Sequence, residues 1–352
     1  MLALDVRKDV FAMSTAASSS ATPMQAPSPA EKPARAPRRI TAPAIMASKS
    51  GAKGTHNRLV MVTAYDAPSA KIAHRAGADM ILVGDSLAMV VLGYDDTLQV
   101  TTEDMAHHTA AVTRGLNVSE AGGCTKDRPL IVGDLPWMSY HLSTDDAVRN
   151  AALLMRAGAT CVKLEGGRKR LPVIQAILDA EIPVMGHIGL TPQSVNSMGG
   201  FKVQGRQVAA AQQLIADAKA LEAAGCFAIV LEAIPDALAR VVTESISIPT
   251  IGIGAGPHCD GQVLVWHDLL GLDDRLAPKF VRKYAELGLA AQDAVAAYAA
   301  DVRSGAFPSA AESYAASSEL TNALVEFTGA DLDEELFADT DDLLIALYGS
   351  SR

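Results

Sequence analysis

The sequence predicts an α/β protein built as a (β/α)8 TIM barrel, and three observations carry that expectation. From Arg58 onward, short apolar runs of β type alternate with Ala-rich stretches of helical length, the pattern of parallel strands joined by crossover helices. The runs number eight, the complement of a closed barrel. Polar residues interrupt them mostly at their C-terminal ends, which in such a barrel converge on one mouth. A doubly wound open sheet remains the alternative, because periodicity does not report closure.

In chain order the runs are Leu59–Thr63, Met80–Gly84, Pro129–Gly133, Thr160–Leu164, Ile182–Gly186, Phe227–Leu231, Pro249–Gly254 and Gln262–Trp266. Between them, Thr144–Ala157 and Val208–Ala224 read as helices, each closing at an Ala-Gly pair suited to a helix C-terminus. The catalytic barrel is expected over residues 40–308. Residues 1–39 read as a disordered leader, since Ser14 to Pro43 is mostly Ala, Ser, Pro and Thr and cannot bury a core. With Lys32, Arg35, Arg38 and Arg39 it reads either as a mitochondrial transit peptide or as a plain tail, Asp5, Asp9 and Glu31 diluting the transit pattern. The protein is accordingly expected in mitochondria or, failing that, the cytoplasm. Beyond Trp266 the chain reads as helical through Tyr298, and residues 309–352 as an acidic C-terminal extension.

Composition narrows the function classes. A chain of 352 residues with 49% hydrophobic content supplies a large core. A formal net charge of −10 argues against a nucleic-acid partner. No apolar run approaches the ~20 residues needed to cross a bilayer, so no membrane association is expected. Cys124, Cys161, Cys226 and Cys259 have no paired spacing, which suggests neither a zinc site nor a disulfide framework.

The polar strand ends are Tyr65-Asp66, Asp85-Ser86, Asp134, Lys163 with Glu165, His187, Glu232 and the Gly252–Gly256 loop. Asp85, Asp134 and Glu165 would repel one another in a shared cavity, so a hard divalent cation, Mg2+ first, is the natural neutraliser. The competing reading pairs these acids with Lys163 and arginines, with no metal. Lys163 and Glu165, two apart on a strand, share a face. Lys163 there binds a substrate carboxylate or simply balances the acids, and a Schiff-base role ranks lower. Glu232 ends an apolar strand, which suits a general base and equally a helix cap. His187 is either a structural histidine or a substrate contact, its flanking glycines favouring close approach of a ligand. The Gly252–Gly256 loop could cradle a phosphate or cofactor, though it is a poor dinucleotide fingerprint.

Several segments then resemble the ketopantoate hydroxymethyltransferase family: Val62-Thr63-Ala64-Tyr65-Asp66, Val83-Gly84-Asp85-Ser86, Gly93-Tyr94, Gly133-Asp134-Leu135-Pro136, Val162-Lys163-Leu164-Glu165-Gly166-Gly167 and Gly186-His187-Ile188-Gly189-Leu190-Thr191-Pro192-Gln193. Leu231-Glu232, Ile251–Gly256 and Val265–Gly271 extend the resemblance, which runs from Ile40 to Pro308. It implies a barrel of the phosphoenolpyruvate/pyruvate type that transfers a one-carbon unit from 5,10-methylenetetrahydrofolate to 3-methyl-2-oxobutanoate, giving 2-dehydropantoate for pantothenate and coenzyme A. By the same resemblance Asp85, Asp134 and Glu165 surround Mg2+, while Asp85, Ser86, Asp134, Lys163 and His187 contact the 2-oxo acid. Glu232 is then the proton acceptor, and the protein a homo-oligomer. Leu87, Met138 and Ile188 are expected to wall the pocket around the branched carbon. The stretch Asn117 to Arg128 departs from the family as a longer loop at the rim. A lyase or phosphonomutase of the same superfamily and a catalytically silent 2-oxo-acid binder are the competing functions.

Overall fold

The computed structural model describes residues 38–49, 58–117, 127–273, 275 and 278–328. Nearly all of the leader, most of the Asn117 to Arg128 stretch and the tail beyond Thr328 lie outside them. Eight parallel strands close into a barrel in chain order: β1 (Leu59–Thr63), β2 (Met80–Val83), β3 (Leu130–Asp134), β4 (Cys161–Glu165), β5 (Val184–Gly189), β6 (Ala228–Glu232), β7 (Thr250–Ile253) and β8 (Gly261–Leu264). Closure comes from β1 pairing with β8, Leu59 opposite Gly261 and Met61 opposite Val263. The open-sheet alternative is thereby excluded.

Alternate residues along each strand enter different cores, as the two-residue strand period requires. Met61, Met80, Leu82, Leu130, Val132, Cys161, Met185, Ala228, Val230, Ile251 and Val263 fill the barrel interior. Their neighbours Val62, Ile81, Val83, Ile131, Val162, Leu164, Ile229 and Leu231 face the helices, packing with Leu154, Ile177, Leu221 and Val242. Ahead of β1, helix α1 (Ala42–Ser48) adds Ala42 and Ile45 to the interior cluster. Lys49, at its end, reaches Asp260 at 3.0 Å and the carbonyl of Thr243 at 2.6 Å. This helix therefore closes the N-terminal pole and leaves the C-terminal pole for chemistry.

The principal outer helices are α2 (Ala67–Ala76), α3 (Leu87–Val90), α4 (Thr102–Asn117), α5 (Thr144–Arg156), α6 (Leu171–Asp179), α7 (Val195–Met198), α8 (Val208–Ala224) and α9 (Asp236–Ser245). Asp66 is the N-cap of α2, its side chain accepting from the Ser69 N–H at 2.8 Å, so this strand-end acid is a cap. Helix α5 runs one residue short of its expected end, and α8 ends at Ala224 before Gly225 in the left-handed conformation.

Two expectations need correction. The segment after Trp266 is not one helix: α10 (Trp266–Leu270) stops at Gly271, with φ 62°, and helix resumes only at α11 (Leu287–Ser304). No residue of α11 is buried, and a further helix, α12 (Ser318–Thr328), lies in the C-terminal extension. Leu87 and Ile188 belong to the helix-facing core rather than to a pocket wall, whereas Met138 lies exposed on the loop after β3. The described cysteines Cys161, Cys226 and Cys259 are free and buried.

Candidate active site

Strand parity decides which polar residues point inward. Leu130 and Val132 fill the interior, so Asp134 continues their face; by the same step Cys161 leads to Lys163 and Glu165, Met185 to His187, and Val230 to Glu232. Asp85 lies two residues beyond the end of β2, and its backbone N–H donates to Asp134 Oδ2 at 3.1 Å. The structure thus gathers Asp85, Asp134, Lys163, Glu165, His187 and Glu232 at one mouth, as the strand-end pattern predicts. Ser86 sits beside them, its hydroxyl 2.9 Å from that of Tyr65.

Lys163 Nζ lies 2.9 Å from Asp134 Oδ1 and 3.4 Å from His187 Nδ1. The imidazole bridges two acids, with Nδ1 3.4 Å from Glu165 Oε1 and Nε2 3.2 Å from Glu232 Oε2. His187 is 2% exposed and Glu232 17%, so the Glu232 carboxylate is the part of this pair that a substrate can reach. The helix-cap account of Glu232 fails, because α9 has Pro235 at its N-cap and no side-chain capping bond.

The electrostatics follow from burial and crowding. Burial, and then the neighbouring Asp134 and Glu165, push the Asp85 carboxyl well above the usual carboxylate range. Burial opposes charge on Lys163, but Asp134, Asp85 and Glu165 outweigh it and raise the ammonium's pKa. For His187, burial and Lys163 oppose protonation, yet the carboxylates of Glu165 and Glu232 beside its two ring nitrogens prevail and lift it to about 9. Acids thus outnumber the cations that face them, Lys163 and His187.

Asp134 Oδ1 is met by the Lys163 ammonium at 2.9 Å, whereas Glu165 Oε1 is buried with only His187 Nδ1 near it, at 3.4 Å. A hard oxygen short of donors fits Mg2+, which commonly takes only one or two protein carboxylates and completes its shell with substrate oxygens and water. Among the described residues no set of three or more His, Cys, Asp or Glu side chains is arranged to hold a metal ion.

The glycine-based arguments fare differently. A Cβ on Gly254 would meet the Phe280 ring, and one on Gly256 would meet Asp236. The space on the Cβ side of these glycines is filled by the chain itself. Likewise Gly186 makes room for Leu221, and Gly189 for the Glu232 carbonyl, rather than for a ligand beside His187.

Two site residues escaped the sequence reading. Gln193, in a short 3-10 turn after β5, is buried and hydrogen-bonded to the Asp85 and Glu165 carboxylates, and Tyr140, in the loop after β3, is buried against Gln193 and the Glu165 backbone. The only local signal was Gln193's place at the end of the Gly186–Gln193 motif.

The comparisons with known proteins concern most of the chain. The profile of the family described as ketopantoate hydroxymethyltransferase matches residues 40–310. A protein of Oleidesulfovibrio alaskensis named 3-methyl-2-oxobutanoate hydroxymethyltransferase is 56% identical over 278 residues, 79% of this chain and 91% of its own. Proteins of the same name from Clostridium acetobutylicum and Moorella thermoacetica are 56% and 53% identical, over 75% and 78% of this chain and 92% and 98% of theirs. These relatives are bacterial and give no support to a mitochondrial transit peptide. A solved phosphonopyruvate hydrolase, in complex with oxalate and Mg++, superposes with a TM-score of 0.49 at 14% identity, over 82% of this chain and 94% of that one, too slight a likeness to argue from. With its closed parallel barrel, its ring of strand-end acids and a family match across most of its length, the chain belongs to the ketopantoate hydroxymethyltransferase family of transferases.

Proposed function

We propose that this chain transfers a hydroxymethyl group from 5,10-methylenetetrahydrofolate to 3-methyl-2-oxobutanoate, giving 2-dehydropantoate in pantothenate synthesis. The observation that carries the chemistry is Glu232, a partly open carboxylate 3.2 Å from His187 at the rim of a buried, cation-poor cluster. Mg2+ held by one or two of the carboxylates of Asp85, Asp134 and Glu165, with substrate oxygens and water completing its shell, would supply Lewis-acid stabilisation of the negative charge that develops on the 2-oxo group.

The chain's own residues do the rest. Lys163 and Ser86 bind and orient the 2-oxo acid, Lys163 as the cation for its carboxylate. Glu232 takes the proton from C3, and the electron pair left there forms the new bond to the one-carbon unit. His187, charged at neutral pH, holds the Glu232 carboxylate in place through its Nε2 at 3.2 Å. Water then completes the transfer and tetrahydrofolate leaves. The protein acts as a homo-oligomer, a reading supported by α11, whose Leu289, Val295 and Tyr298 are exposed on the single chain.

The test is deuterium exchange at C3 of 3-methyl-2-oxobutanoate in D2O, followed by NMR with Mg2+ or chelator, for wild type and Glu232→Gln. Exchange that needs Mg2+, falls at least ~100-fold in the variant, and gives way to hydroxymethyl product when the folate is added is the expected result. A wild type that neither exchanges nor forms product with any divalent ion would overturn the reading in favour of a binding protein.

A further inference from the structure

Gln193 is buried, and its backbone N–H and both ends of its amide are committed within the acid cluster. The N–H donates to Glu165 Oε2 at 3.0 Å, and Nε2 donates to Asp85 Oδ2 at 2.8 Å and to the Leu135 carbonyl at 2.9 Å. Oε1 accepts from the Tyr140 hydroxyl at 2.6 Å. The Leu135 carbonyl can only accept, which fixes the amide with its NH2 toward Leu135 and Asp85 and its oxygen toward Tyr140. The Glu165 backbone N–H can only donate, and it donates to the Tyr140 oxygen at 3.2 Å. The Tyr140 hydroxyl gives its proton to Gln193 Oε1 at 2.6 Å, the Glu165 carbonyl being a longer second acceptor at 3.4 Å.

One oxygen of Asp85 and one of Glu165 are thus occupied by a single residue. The second oxygen of Glu165 is buried without a hydrogen bond, with His187 Nδ1 3.4 Å away. We propose that Gln193, oriented by Tyr140, is a positioning residue that holds Asp85 and Glu165 so that their remaining oxygens meet a divalent cation. The proposal rests on the metal reading given under Proposed function, and outer contacts of this kind are worth about 10–100-fold in metal affinity.

The experiment titrates the full chain with Mn2+, a paramagnetic surrogate for Mg2+, and reads free and bound ion by electron paramagnetic resonance, with and without 3-methyl-2-oxobutanoate. Gln193→Met keeps the side-chain volume and removes the amide; Tyr140→Phe keeps the ring and removes the hydroxyl; Asp85→Asn is the ligand control. The expected result is a Kd raised about 10–100-fold in Gln193→Met and less in Tyr140→Phe, with a broadened bound-ion spectrum in both. Wild-type affinity in Gln193→Met, with binding lost in Asp85→Asn, overturns the positioning role and leaves the metal reading standing. Absence of Mn2+ binding by wild type overturns both. If Gln193→Met does not fold, Tyr140→Phe decides alone: unchanged affinity and spectrum overturn the proposal.

Discussion

At the scale of the residue, Lys163 is the one lysine or arginine buried among the described residues, and Asp134, its partner at 2.9 Å, is buried with it. Breaking such a pair costs more than the pair contributes, because the surviving charge stays in a poor solvent. Lys163→Met is expected to lose roughly 3–5 kcal/mol in urea unfolding without metal. An unchanged unfolding free energy would mean that Asp134 finds its compensation elsewhere. The positions of Asp85, Asp134, Lys163, Glu165, His187 and Glu232 at strand ends were legible in the sequence, since each interrupts or ends an apolar run. Their partners were not. Gln193 reaches Asp85 across 108 positions of chain, and no local pattern marks such a bond. His187 entered the site for a reason other than its glycines: its strand parity aims it inward, while Gly186 and Gly189 serve packing.

At the scale of the element, β5 carries the most information. It runs to Gly189, beyond its expected end at Gly186, because the ladder continues on both sides: Glu165 pairs with His187, and Gly189 with Glu232. Gly189 has φ 100°, and a Cβ there would collide with the Glu232 carbonyl oxygen. Gly189→Ala is therefore expected to destabilise the protein by more than ~1 kcal/mol and to slow C3 exchange by displacing Glu232. Wild-type melting and exchange in that variant would show that the β5–β6 edge yields without cost. Helix ends with a residue signature, such as Gly225 after α8, were legible. The break between α10 and α11 was missed because the Ala- and Leu-bearing composition outweighed the stop signal of Gly271.

At the scale of the whole molecule, the barrel separates stability from chemistry. Its N-terminal pole is closed by α1 and the Lys49 contacts, its C-terminal pole carries the acids. Helix α11 has no such place: Val295, Tyr298 and Val302 recur at three- and four-residue spacing on one face, and all are exposed. Light scattering on the eluted protein is expected to give a multiple of the 36.7 kDa chain, and Tyr298→Asp a smaller multiple. A monomeric wild type would contradict the homo-oligomer reading. The sequence by itself determined the class of fold and the strand-end acids, because strand period, run length and the chemistry of a run's last residue are local properties. Only the tertiary structure decided that β1 meets β8, that Glu232 faces His187, that the Gly252–Gly256 loop is packed by its own chain, and that Gln193 joins two carboxylates. Each of these joins residues distant in sequence, and the hydrogen bonds and close contacts that select them exist only once the barrel has closed.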